Sequence, residues 1–182
     1  MTAIKSYPNY YTRRTEEIRK NSGVIRIVSR AEMEGYGKHT PDVLDYADII
    51  SVNDASDGYL FDPHENNNLR SYIFKDDVPR RGNQQTGLFQ RWQAVDIVKF
   101  LLNRDRSRPL IIHCWAGVSR SAGISVVAAA IYGYDMETLY KDHPYIQPNW
   151  WVMQLLADVY STHFDMNGKE LFKNLDKFEH LK

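Results

Sequence analysis

A short apolar run in the second half of the chain leads through one loop into a stretch of small residues. Residues 109–123 have the sequence PLIIHCWAGVSRSAG. The apolar run predicts a buried strand over 109–113, and the small residues that follow predict a helix over about 121–133. A strand joined to a helix by a short loop is typical of a parallel sheet, whose connections cross over its faces. This feature restricts the fold more than any other in the chain.

The rest of the chain continues the alternation of strands and helices. The patterns predict strands at 24–29, 49–52 and 71–74, helices over 41–47, 87–103, 150–164 and 169–180, and polar loops at 53–69 and 76–85. We therefore expect an α/β fold, with a central, mostly parallel sheet flanked by helices. Residues 1–22 are expected to form a polar arm or tail, and residues 23–182 a single domain.

Charge and cysteine content exclude several classes of protein. The 182 residues carry 23 basic and 23 acidic side chains, so neither nucleic acid nor an anionic membrane is an expected partner. The N-terminus lacks the apolar segment of a signal peptide and no apolar run could span a bilayer, which favours a cytoplasmic location. The single cysteine, Cys114, excludes an intramolecular disulfide and a multi-cysteine metal site. We expect no metal and no other cofactor.

The loop that contains Cys114 has the features of an anion site. Backbone N–H groups in a strand-to-helix loop can point inward, and the helix N-terminus adds partial positive charge. Gly117 allows the loop to curve, and Arg120 supplies a planar fork of donors that matches two phosphate oxygens. Such surroundings favour a nucleophilic thiolate. The residues expected to bind the substrate are Trp115, Ala116, Gly117, Val118, Ser119 and Arg120.

This segment resembles the His-Cys-x5-Arg-Ser signature of the cysteine-dependent tyrosine and dual-specificity phosphatases. It matches the signature at His113, Cys114, Gly117, Arg120 and Ser121. The resemblance implies a tyrosine-phosphatase-like fold and hydrolysis of phosphomonoesters through a cysteinyl-phosphate intermediate. The implied substrate is a phosphorylated protein, with phosphotyrosine, phosphoserine and phosphothreonine all compatible, or a small phosphomonoester. In the family, the serine after the arginine helps the thiolate to leave.

A second segment also resembles this superfamily. Residues 143–149, HPYIQPN, are similar to small bacterial members in which a Pro-Asn pair opens a late helix. Family members that act on phosphoinositides tend to carry extra basic residues in the loop around the cysteine. The loop around Cys114 has no lysine or second arginine in its interior, so the resemblance disfavours a phosphoinositide substrate. A compact, dual-specificity-type enzyme is the closer comparison.

The histidine before the cysteine is expected to have a supporting role. Neighbouring side chains on a strand point to opposite faces. His113 is therefore a poor base for Cys114, and we expect it to hydrogen-bond beneath the loop and order it.

Hydrolysis also requires a carboxylic acid near the leaving oxygen, carried on a separate loop. Residues 72–79, YIFKDDVP, form a predicted strand that runs into a polar loop. In α/β sheets, ligand sites gather at the carboxyl ends of the strands. The family pattern of an aspartate just past such a strand favours Asp76, with Asp77 as the alternative. Asp54 and Asp57 are weaker candidates because their loop follows an earlier strand.

Two other functions are compatible with a cysteine in an anion loop. A rhodanese-like sulfurtransferase also uses such a cysteine and needs no aspartate. A non-catalytic phosphopeptide-binding module would keep the loop without turnover, although an intact cysteine, arginine and candidate acid argue against it. A papain-like protease is weaker still, because no suitable histidine and asparagine pair stands out.

Overall fold

The computed structural model describes residues 8–20, 23–62, 67–79 and 86–163. The strands are β1 (Ile25–Ser29), β2 (Asp48–Asn53), β3 (Leu69–Ile73) and β4 (Leu110–Cys114), and the helices are α1 (Pro8–Lys20), α2 (Arg30–His39), α3 (Val43–Tyr46), α4 (Arg91–Asn103), α5 (Arg120–Tyr132), α6 (Met136–Asp142) and α7 (Trp150–His163). The helix predicted at 169–180 and most of the predicted loop at 76–85 lie outside the described residues.

The four strands form one parallel sheet in the order β1-β4-β2-β3. This confirms the predicted α/β fold with a parallel sheet flanked by helices. All five residues of the inner strand β4 are buried, as expected for a parallel strand that is covered on both faces. The continuous apolar run in the sequence therefore reflects burial on two sides.

Alternation of side chains divides the core between the two faces of the sheet. On one face, Ile112 of β4 and Ile50 of β2 belong to a cluster that also includes residues of α4, α5 and α7. On the other face, Ile111 of β4 packs in a cluster with Met33 of α2 and residues of α1 and α3. None of the helices among the described residues is sufficiently long and apolar to cross a bilayer.

Three of the described helices, α1, α2 and α6, were not predicted from the sequence, and a different physical reason explains each omission. Helix α2 contains two glycines, which disfavour a helix, but the ring of Tyr11 from α1 occupies the space that a Cβ at Gly35 would need. Helix α1 is mainly polar and buries Ile18. Helix α6 has only seven residues, and its start is stabilised by Asp135, whose side chain accepts the backbone N–H groups of two following residues.

The parallel arrangement brings four chain segments to the same edge of the sheet. The strands end at Ser29, Asn53, Ile73 and Cys114, and the register places Ser29 beside Cys114. The residues that follow these strand ends are therefore neighbours, although they are distant in sequence. This edge holds Cys114 and the aspartates that follow β2 and β3.

Candidate active site

The loop of residues 114–119, called the Cys114 loop below, has carbonyl groups that point outward to three partners. Each of these carbonyls accepts a hydrogen bond from a backbone N–H group. Arg30 donates to Trp115 at 3.0 Å, at the start of the loop. At its end, Gln147 donates to Val118 at 2.8 Å and Asn149 donates to Ser119 at 3.1 Å. In a planar trans peptide, the N–H of the next residue points the opposite way. The N–H groups of residues 116, 119 and 120 therefore face the inside of the loop, where they can bind an anion.

Gly117 is required by the path of this loop. Its φ angle is 72°, in the left-handed region that favours glycine. A Cβ at this position would lie 2.8 Å from the carbonyl carbon of Val28 and 2.9 Å from the nitrogen of Ser29. Because both are backbone atoms at the end of β1, the loop can pack against the sheet only without a side chain here.

Cys114 lies at the bottom of the loop, at the end of β4 and in front of helix α5. Its side chain is buried, with 2% of the residue exposed, and its Sγ is 3.1 Å from the Oγ of Ser121 in the first turn of α5. The N–H groups of the first turn of a helix have no partner within the helix and carry partial positive charge. The sulfur therefore lies where the start of the helix and a hydroxyl group can donate hydrogen bonds to it.

Arg120 is buried, and its guanidinium is held along one edge. Nη1 donates to Asp54 Oδ1 at 2.9 Å and to the carbonyl of Phe74 at 2.8 Å, and Nη2 donates to Asp54 Oδ2 at 2.9 Å. Nε is buried and has no hydrogen-bond partner among the described residues. Three of the five N–H donors of the guanidinium are used in this way, and the N–H of Nε and one N–H of Nη2 remain available to a ligand. These two lie on one edge, in the arrangement that binds two oxygens of a phosphate.

Asp54, which the sequence offers as a weaker candidate for the acid, forms an ion pair with Arg120. Both of its oxygens contact the guanidinium of Arg120. Its position as the first residue after β2 is a signal that it lies at the site, but the pairing depends on tertiary structure. Asp57, the other weaker candidate, is exposed and accepts a hydrogen bond from the Oγ of Ser56 at 3.4 Å.

The two candidate acids point to different places. Asp76 Oδ1 accepts hydrogen bonds from the Oγ of Ser119 at 2.7 Å and from the Nδ2 of Asn149 at 2.9 Å, and Oδ2 is 4.0 Å from the Nε of Arg120. The Oδ1 of Asp77 accepts the backbone N–H of Val78 at 2.8 Å. The carboxylate of Asp76 therefore lies against the Cys114 loop, whereas that of Asp77 supports its own turn.

His113 lies on the face of β4 opposite to Cys114. The side chain is fully buried, its Nε2 is 2.7 Å from the Oγ of Ser51 on β2, and its ring packs edge-on against Phe61. Burial lowers the pKa of His113 to about 4, and the charges of Arg30 and Arg120 act in the same direction. His113 is therefore neutral at physiological pH and braces the strand that carries the cysteine.

The outer rim of the loop is open to solvent. Trp115 is 56% exposed, Ala116 is exposed, and Val118 and Ser119 are partly buried. Tyr145 and Trp150, which flank the segment that bonds to the loop, are also exposed. Within the described part of the chain, no group of three or more histidine, cysteine, aspartate or glutamate side chains is placed to hold a metal ion.

Comparisons with known proteins give similarity in structure only. No family model and no curated protein sequence matches the chain. PTPMT1 in complex with PI(5)P is 13% identical with a TM-score of 0.47, and the match covers 84% of this chain and 95% of that one. DUSP15 is 13% identical with a TM-score of 0.42 over 84% and 90%, and a mutant form of Tk-PTP is 16% identical with a TM-score of 0.36 over 88% and 94%.

Proposed function

We propose that the protein is a metal-independent phosphatase of the tyrosine and dual-specificity type, which hydrolyses phosphomonoesters through a cysteinyl-phosphate intermediate. The observation that carries this proposal is the free edge of Arg120, whose buried Nε has no hydrogen-bond partner among the described residues, while Asp54 and Phe74 hold the rest of the guanidinium. A buried, unpaired donor on a positive side chain is costly unless an anion binds there. The substrate is either a phosphorylated protein, with phosphotyrosine as the first candidate among its phosphorylated residues, or a small phosphomonoester.

In the first step, the thiolate of Cys114 attacks phosphorus. The S–P bond forms, the bond from phosphorus to the leaving oxygen breaks, and Asp76 gives its proton to that oxygen. The free edge of Arg120 and the inward N–H groups of the Cys114 loop hold the three other oxygens of the phosphoryl group. Fixed donors directed at the charge of the transition state supply most of the rate enhancement in such transfers.

In the second step, water attacks the phosphorus of the cysteinyl phosphate. Asp76, now a carboxylate, takes a proton from this water while the S–P bond breaks and inorganic phosphate is formed. The leaving thiolate accepts a hydrogen bond from Ser121, whose Oγ is 3.1 Å from the sulfur. The enzyme returns to its starting state with no net change in any side chain.

The contact of Asp76 with the Cys114 loop favours this reaction over the two alternatives. A rhodanese-like sulfurtransferase needs no acid at this position, and a module that only binds phosphopeptides needs neither an acid nor a nucleophile. The hydrogen bond from Ser119 to Asp76 links the candidate acid directly to the loop that carries the candidate nucleophile. This link is a reason to expect turnover.

Hydrolysis of an aryl phosphate in the presence of EDTA tests the proposal. We expect full activity of the natural protein in EDTA and none for Cys114→Ser. Asp76→Asn is expected to lower the rate about 10²- to 10⁴-fold, the usual contribution of a general acid. The matched control is Asp77→Asn, one residue away, which should retain nearly all activity because its carboxylate bonds to Val78.

Three results would contradict the proposal. Activity that survives in Cys114→Ser would exclude the cysteine as the nucleophile. Activity lost in EDTA would indicate a metal-dependent phosphatase. Transfer of sulfur from thiosulfate to cyanide, unchanged in Asp76→Asn, would favour the sulfurtransferase.

A further inference from the structure

Asn149 joins three parts of the structure at the residue before helix α7. Its backbone N–H donates to the carbonyl of Ser119 at 3.1 Å, at the end of the Cys114 loop. Its Oδ1 accepts the backbone N–H groups of Trp151 at 3.1 Å and Val152 at 3.2 Å, as an N-cap does. The residue is 7% exposed, and a Cβ at Gly123 of α5 would lie only 2.9 Å from its carbonyl oxygen. Asn149 is therefore held by the loop and by both helices.

These contacts determine the orientation of the amide. Because Oδ1 accepts two backbone donors, the Nδ2 group must point the other way, toward Asp76. Nδ2 donates to Asp76 Oδ1 at 2.9 Å. The backbone N–H groups at the start of α7 therefore fix the rotation of the Asn149 side chain, so that its Nδ2 points at the carboxylate of Asp76.

The two oxygens of Asp76 have different surroundings as a result. Oδ1 receives hydrogen bonds from both Asn149 and Ser119, at 2.9 Å and 2.7 Å. An oxygen that accepts two donors has no good position for a proton of its own. Oδ2 lies on the side of Arg120, 4.0 Å from its Nε, and therefore faces the edge that is available to a phosphate.

We propose that Asn149 is a positioning residue, which directs the proton of Asp76 to Oδ2 and holds that oxygen beside the leaving group. This inference rests on the proposed function, because it concerns the step in which Asp76 acts as an acid. It makes the N-terminal end of helix α7 part of the catalytic machinery. Ser119 supplies the second donor to Oδ1, so the loop that binds the phosphate and the start of α7 orient the same carboxylate.

The test compares substrates that differ in their need for a proton. An aryl phosphate with a strongly acidic phenol needs little help from Asp76, whereas phenyl phosphate has a poor leaving group and depends on it. The variant is Asn149→Asp, which keeps the N-cap acceptor and replaces the donor by an oxygen. We expect kcat on phenyl phosphate to fall about 10- to 100-fold more than kcat on the activated aryl phosphate, with KM nearly unchanged for both.

A second variant and a matched control complete the experiment. Asn149→Ser also keeps a good N-cap and removes the donor, so it should show the same selective loss and serves if the aspartate variant does not fold. Asp135→Asn changes the N-cap of α6, whose side chain accepts the N–H groups of Glu137 and Thr138. It should lower both rates equally or not at all.

The possible outcomes separate this inference from the proposed function. Equal losses on the two substrates in the Asn149 variants would show a purely structural role for the residue and overturn the inference. Unchanged rates on both would overturn it as well. If Cys114→Ser hydrolyses the substrates as well as the natural protein does, the proposed function fails first, and the inference fails with it.

Discussion

Gly117→Ala should damage the Cys114 loop more than it damages the fold. The φ angle of 72° costs a residue with a Cβ about 1–2 kcal/mol. The new Cβ would also lie 2.8 Å from the carbonyl carbon of Val28 and 2.9 Å from the nitrogen of Ser29. These backbone atoms cannot rotate away, so overpacking adds about 1–3 kcal/mol. The free energy of unfolding should therefore decrease by about 2–5 kcal/mol, with the lower value expected where the loop shifts to relieve the strain.

Gly133→Ala is the matched control for this substitution. Gly133 ends helix α5 with a φ angle of 65°, and a Cβ there would meet nothing within 4 Å. This variant therefore carries the backbone strain without the collision. The difference between the two variants measures the close approach of the loop to the end of β1.

Denaturation in urea and hydrolysis of an aryl phosphate are the two assays. Gly133→Ala should lose about 1–2 kcal/mol of stability and keep its kcat/KM. Gly117→Ala should lose at least a further 1 kcal/mol. Its kcat/KM should fall about 10²- to 10³-fold, as when one donor to a transition-state oxygen is removed. Equal losses of stability in the two variants would show that the close approach to β1 costs nothing, and an unchanged kcat/KM in Gly117→Ala would show that the path of the loop does not affect catalysis.

Three further predictions concern ionisable groups. Asp54→Asn should lower kcat/KM about 10- to 100-fold, because it removes a charged pair of hydrogen bonds that orient Arg120, each at 2.9 Å. The free energy of unfolding should decrease by up to about 3 kcal/mol as pH falls from 6.5 to 4. In this range the unfolded chain binds a proton at His113, whereas the folded protein, in which the pKa of His113 is lowered to about 4, does not. Asp48→Asn should cost about 3 kcal/mol of stability, since it leaves the buried Arg104 without its charged partner at 2.7 Å. It should not lower the catalytic rate, because Asp48 lies at the opposite end of the sheet from the candidate active site.

Each of these predictions has its own measurement and control. Steady-state kinetics of Asp54→Asn is compared with Asp57→Asn in the same loop, and equal effects would contradict the orienting role of Asp54. Urea titrations between pH 4 and 7 are compared for the natural protein and His113→Gln. If His113→Gln keeps the full dependence on pH, another group is responsible. Thermal melting tests Asp48→Asn, and an unchanged Tm would show that the buried pair contributes little.

The sequence predicts the sheet better than it predicts the helices on one of its faces. The strands and the helices α4, α5 and α7 have strong apolar patterns because they form the larger cluster of the core. On the other face, α2 contains two glycines and its contact with Tyr11 of α1 is a tertiary interaction. Local propensity cannot reveal such a contact, since it depends on a residue from another helix.

The site shows the same division between local and tertiary information. The Cys114 loop follows from residues adjacent in sequence, and the preference for Asp76 over Asp77 comes from the resemblance of residues 74–76 to the family pattern. The pairing of Asp54 with Arg120 joins residues that are 66 positions apart, and the contact of Asn149 with Asp76 joins residues 73 positions apart. The Pro-Asn pair before α7 marks a helix start in the sequence, but the direction of its amide becomes visible only in the folded structure.

Trapping a phosphoryl group on Cys114 is the direct test of a cysteinyl-phosphate intermediate. Asp76→Asn, which should be slow in the second step for lack of a base, is mixed with an activated aryl phosphate, quenched rapidly and analysed by peptide mass spectrometry. We expect a burst of phenol equal to the amount of enzyme, with one phosphoryl group on the peptide that contains Cys114. Phosphate released with no such burst, or a phosphoryl group on any other residue, would contradict it.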